Sequence, residues 1–90
     1  MRVQVKSAHR AGQDGGYSFR MHGHSLKAYS AKEIDVLVAY VVSENAWYVF
    51  PVRDLGGLRS LKLFPGSRRK RSKFEKWREA WRVFDGERRE

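Results

Sequence analysis

Val3 and Val5 alternate with Arg2, Gln4 and Lys6, a period of two that predicts a half-buried strand with the valines on one face and the polar side chains on the open one. Tyr17, Phe19 and Met21 repeat the alternation against Ser18, Arg20 and His22. Gly12, Gly15 and Gly16, around Gln13 and Asp14, then predict a glycine-rich hairpin loop between the two strands. Ser30-Ala31-Lys32-Glu33 matches a capping box, and Tyr29 and Ile34 have the spacing of a hydrophobic staple, so a short middle helix is expected. The run Val36 to Val42 is almost wholly apolar and rich in β-branched residues, which suits a central strand covered on both faces. Residues 43–46 turn the chain into the aromatic strand Trp47 to Val52, where Pro51, lacking a ladder donor, belongs near an edge or end. Leu61 to Phe64 reads as a brief strand stopped by Pro65-Gly66. Ser72-Lys73-Phe74-Glu75 is a second capping box, and Phe74, Trp77, Trp81 and Phe84 then fall on one face of a C-terminal helix closed by Asp85-Gly86 and docked on the sheet. No internal repeat or linker interrupts this order. The pattern predicts an α/β (α+β) fold in one domain over residues 1–90: a small mixed, largely antiparallel sheet with a short middle helix and a C-terminal helix.

A chain of 90 residues has room for one domain. At that size it buries roughly 60–65% of the surface its unfolded form exposes, which excludes a two-domain enzyme. No stretch of about 18 apolar residues occurs, and Met1 to Lys6 lacks the apolar centre of a signal peptide, so a soluble cytoplasmic protein without a membrane partner is expected. The absence of cysteine removes disulfides, thiolate zinc sites and cysteine nucleophiles, and 13% aromatic residues argue against a disordered basic tail. Charge changes the picture most. The formal net charge is +9, and a pI near 10.4 makes a polyanion, nucleic acid before an anionic membrane, the partner to consider. The charge is also uneven, with nine bases and five acids up to residue 67 and ten bases and five acids in the short remainder.

The densest cluster is Arg68, Arg69, Lys70, Arg71 and Lys73, with no acid among them, leading into the expected helix start. Cationic side chains release condensed counterions, and amides at a helix start point toward anionic oxygens, so both favour a phosphate backbone. Arg20 adds to the same balance. Gln4 and Lys6, two apart on one strand face, set an amide beside an ammonium. On a strand's open face such a pair is the normal outcome of alternation, yet beside a scissile phosphate the ammonium would stabilise developing negative charge. Asp35 is the one acid placed beside a core strand, where it serves either as a hydrogen-bonding group or as a metal ligand, while Glu33 is accounted for as a cap. His9, His22 and His24 read as ordinary surface histidines before a metal site, and the tryptophans and Tyr48 as core before base-stacking residues. No phosphate loop, Ser/His/Asp arrangement or nucleotide-binding glycine signature is present.

Taken in order, Val3-Gln4-Val5-Lys6-Ser7 before a glycine turn, Glu33-Ile34-Asp35-Val36, Ala46-Trp47-Tyr48-Val49-Phe50-Pro51-Val52 and Phe74 to Trp81 resemble the group I intron-associated endonucleases of the PD-(D/E)XK superfamily. The resemblance runs over nearly the whole chain. It implies a mixed sheet flanked by helices, DNA as the substrate, and Mg²⁺-dependent hydrolysis of phosphodiesters, with Gln4 at the (D/E) position, Lys6 as the signature lysine and Asp35 the acid nearest to a metal role. Arg20, Arg68, Arg69, Lys70, Arg71 and Lys73 are the DNA-binding candidates. The family's core sets a helix, two strands and a metal-holding aspartate ahead of the signature strand, which here starts at residue 3. The chain therefore resembles the C-terminal part of such a domain, a truncated restriction-endonuclease-like core. Its metal carboxylates would come from a second chain, an upstream segment or Asp35. An exposed sheet edge would invite pairing with another chain or a homodimer. A non-catalytic nucleic-acid-binding module is the alternative.

Overall fold

The structure, a computed structural model, describes residues 1–20, 34–55, 58, 60–66 and 73–88. Five strands and one short α-helix are formed there, besides three 3₁₀ turns: β1 (Val3–Ala8), β2 (Tyr17–Arg20), β3 (Val36–Val41), β4 (Ala46–Pro51), β5 (Ser60–Leu63) and α1 (Arg82–Arg88). β3 lies at the centre of a three-stranded sheet ordered β1-β3-β4, parallel to β1 and antiparallel to β4. Its apolar run suits that place, because Val36, Leu37, Ala39 and Val41 are all fully buried. The turn from β3 to β4 is tight, with Asn45 in the left-handed conformation (φ 48°) that asparagine tolerates better than most residues. Pro51 ends β4 opposite Val36, where its missing donor costs little.

β2 and β5 form a separate two-stranded antiparallel sheet. Tyr17, Phe19, Leu61 and Leu63 turn inward from it and join Leu37, Ala39, Val41, Ala46, Tyr48 and Phe50 in the principal core. On the opposite face of the larger sheet Val36, Val38 and Val49 pack under Ala80 and Val83, so β3 and β4 are covered on both sides. Tyr17 Oη and Ser43 Oγ, 2.7 Å apart, tie the small sheet to the β3–β4 turn.

Three expectations are corrected. The first two strands do not form a hairpin, since β1 takes β3 as its partner and β2 takes β5; the loop before β2 instead closes on itself through Gly12 N–H to Gly16 O at 2.8 Å, with Gly15 at φ 84°. The two faces of β1 are exchanged. Val3 and Val5 are 42% and 57% exposed, whereas Gln4, Lys6 and Ala8 are half-buried. A period of two separates two faces of a strand without saying which one meets the core. The long C-terminal helix is broken as well. Glu75–Trp77 makes one 3₁₀ turn, Arg78 is extended, Glu79 has φ 53°, and helix resumes only at Arg82. The break satisfies the outer edge of β4, because Glu79 N–H donates to Trp47 O at 2.8 Å and Arg78 bridges to Tyr48. Asp85 and Gly86 consequently lie inside α1 instead of closing it, and Trp81 is 43% exposed. The expected middle helix lies outside the described residues.

Candidate functional site

β1 carries the Gln4–Lys6 pair on the face it shares with Ala8, which packs toward the principal core. Parallel pairing sets Gln4 beside Leu37 and Lys6 beside Ala39. The two polar side chains thus rise from the rim of the large sheet on its inner side. An amide and an ammonium in adjacent positions there can hydrogen-bond and neutralise an anionic oxygen.

Asp35 sits at the entry to β3 and clamps the start of β1. Its Oδ2 accepts the Arg2 backbone N–H at 2.7 Å, Arg2 Nη2 stands 3.7 Å from Oδ1, and Arg2 O in turn accepts the amides of Asp35 and Val36 at 2.9 and 3.2 Å. The hydrogen bond from the Arg2 amide, aided by the cationic charge of Arg2 and the N-terminus, holds the Asp35 carboxyl below the usual carboxylate range. Asp35 is therefore committed to positioning β1. A hard divalent cation such as Mg²⁺ asks for one or two carboxylates beside it. Among the described residues no three acids or histidines come close enough to hold a metal, and Gln4 offers only a neutral carbonyl. The described donor set does not fit the ion.

The basic candidates separate in space. Alternation turns Ser18 and Arg20 to the outer, exposed face of β2, opposite Lys62 and Ser60 of β5. Lys73 lines a groove on that side together with Ser18, Ser60, Lys62, Phe64 and Phe74. Arg20 and Lys73 thus belong to the outer side of the small sheet, whereas Gln4 and Lys6 face its inner side. Arg68, Arg69, Lys70 and Arg71 lie outside the described residues, as do His22 and His24; His9 is exposed. Lys62 escaped the reading of the sequence. The signal was available, since Leu61 and Leu63 point inward and the residues between and before them must point out. Glu75, expected to cap a helix, instead accepts the Tyr48 hydroxyl at 3.0 Å and pairs with Arg78 at 3.3 Å. Burial, then the Glu75 carboxylate, pushes the Tyr48 phenol well above its ordinary range, so it stays a donor.

The family model for PD-(D/E)XK endonucleases matches residues 1–84. No curated protein sequence matches the chain. Among solved structures, the bacterial homing endonuclease I-Ssp6803I is similar, with a TM-score of 0.72 and 26% identity over 94% of this chain. The matched region spans 59% of that protein's chain.

Proposed function

We propose, because this chain belongs to the PD-(D/E)XK endonuclease family, that it binds DNA and contributes the glutamine–lysine strand of a phosphodiester-cleaving site of the intron-homing type. One observation carries the reading: Gln4 and Lys6 leave the same inner face of β1, half-buried at the rim of the sheet. An ammonium held there stabilises the negative charge that builds on a phosphate as water attacks, and the Gln4 amide orients an oxygen beside it. Asp35 supports the site by fixing the entry of β1. No step is assigned to a metal ion, since the described residues do not assemble its ligands. Arg20 and Lys73 hold the DNA backbone, together with Arg68, Arg69, Lys70 and Arg71 of the basic stretch.

Incubation of the purified chain with plasmid DNA and Mg²⁺ tests the reading. Nicked or linear product is expected, and Lys6→Ala should slow its formation by about 10²-fold, the scale on which loss of one charge-stabilising donor acts. Equal cleavage by both proteins would remove Lys6 from the chemistry. The engagement of Asp35 with the Arg2 amide specifically favours a second reading, a non-catalytic DNA-binding module. DNA binding that is indifferent to Mg²⁺ or Mn²⁺, without cleavage, is its signature.

A further inference from the structure

The outer face of the small sheet gathers more than the two cations singled out from the sequence. Two neighbouring rungs, Ser18–Lys62 and Arg20–Ser60, each pair a cation with a hydroxyl, and all four side chains are exposed. Lys62 and Arg20 are diagonal partners, about 7–8 Å apart for an antiparallel pair. Lys73 lines a groove with Ser18, Ser60 and Lys62, its ammonium 5.3 Å from the centre of the Phe74 ring, and Lys76 lies in the adjoining hollow at 5.3 Å from the Trp77 ring. Rings beneath the ammoniums hold them in place while leaving them open to an anion. Among the described residues no acid lines the groove between Ser18 and Phe74, and Asp54 stands in the adjoining hollow.

A carboxylate already occupies one of these cationic positions. Asp14 Oδ1 accepts the Gly16 N–H at 2.9 Å while Oδ2 accepts from Lys62 Nζ at 2.9 Å. The absence of a side chain at Gly16 permits this, since a Cβ there would stand 2.6 Å from Lys62 Cδ and 2.7 Å from Cγ. The glycine loop thus lies against the lysine stem and delivers an anion to its tip.

We propose that the outer face of the β2–β5 sheet joins Arg20 and Lys73 to Lys62 and the Ser18 and Ser60 hydroxyls in one DNA-backbone surface, and that Asp14 competes with phosphate for Lys62. The proposal rests on the reading of the chain as a DNA-binding protein and extends it to a side of the molecule that Gln4 and Lys6 do not face. Phosphate oxygens take the two cation–hydroxyl rungs, displacing Asp14 from Lys62, so the loop carboxylate weakens binding in the native protein.

Binding of a labelled duplex, measured by fluorescence anisotropy across a range of salt concentrations in EDTA, tests it. The triple substitution Arg20→Ala, Lys62→Ala, Lys73→Ala should lower the slope of log K against log salt by roughly 2–3, at about 0.9 per lost phosphate contact. Asp14→Asn keeps an oxygen for the Gly16 amide and removes the charge. It should bind severalfold more tightly at low salt, a gain that misfolding cannot produce. An unchanged slope in the triple variant, or an Asp14→Asn protein that binds no tighter, overturns the proposal. Plasmid cleavage separates it from the nuclease reading: cleavage with an unchanged slope removes this surface alone, and a lowered slope without cleavage removes the nuclease chemistry alone.

Discussion

β1 and β4 flank the same central strand, and they are built for different purposes. In β4, Tyr48, Val49 and Phe50 are fully buried; the first and third point into the principal core, and Val49 lies under Ala80 and Val83. Its outer edge is closed by the Arg78–Glu79 backbone. In β1, no residue is fully buried, two valines face outward, and the inner face carries an amide and an ammonium. Buried packing is concentrated on one side of β3 and half-buried polar side chains on the other, so substitutions in the two strands should weigh very differently on folding.

The largest effect is expected at Phe50. It packs against the Trp77 ring at a centroid distance of 6.4 Å and edge-on to Phe74 at 6.0 Å, so Phe50→Ala opens a cavity where both core and C-terminal segment meet. A loss of about 3–5 kcal/mol is expected in urea denaturation, a large share of the stability of a domain this small. A loss below about 1 kcal/mol would mean that β4 does not anchor the fold. Tyr48→Phe is next. It removes the donor to Glu75 without opening a cavity, and Glu75 keeps its bond to Arg78, so about 1 kcal/mol is expected. Val5→Ala should cost only about 0.5 kcal/mol, as at other exposed positions. A larger loss would show that the outer face of β1 is covered in solution.

The same contrast explains what could be read from the sequence. β3 and β4 were legible because their signals are local: an unbroken β-branched run, a turn, an aromatic run and a proline at its end. β5 was legible from Pro65-Gly66. Gln4 and Lys6 were legible as a pair sharing one side of a strand, but not as the inner side. Orientation is decided by partners more than 25 residues away, and Val3-Gln4-Val5-Lys6 reads the same either way up. Pairing was equally hidden, since a glycine loop between two alternating segments is compatible with a hairpin until each strand finds a longer-range partner. At the C-terminus Phe74, Trp77, Trp81 and Phe84 have helical spacing, yet an unsatisfied strand edge claims the backbone between them. Satisfying the β4 edge outweighs one turn of helix. Asp35 was legible as the acid beside the core, but its engagement with the Arg2 amide depends on β1 arriving parallel to β3.

That engagement gives the sharpest test of how β1 is held. The Asp35 carboxyl is held below its ordinary range by the Arg2 amide, so its folded-state pKa is depressed relative to the unfolded chain. A depressed carboxylate contributes stability that is complete above the unfolded value, about 3.9, and is lost as pH falls through the folded value. Native stability should therefore fall below about pH 4 by an increment that Asp35→Asn lacks. The asparagine retains an oxygen for the Arg2 N–H, so only the charge-dependent part is removed. Because the clamp holds the entry of β1 alone, hydrogen exchange should quicken at β1 amides in Asp35→Asn at neutral pH and leave β4 amides as they were. Equal acceleration in both strands would mean that the clamp supports the whole sheet, and β1 would lose its standing as a separately tethered strand.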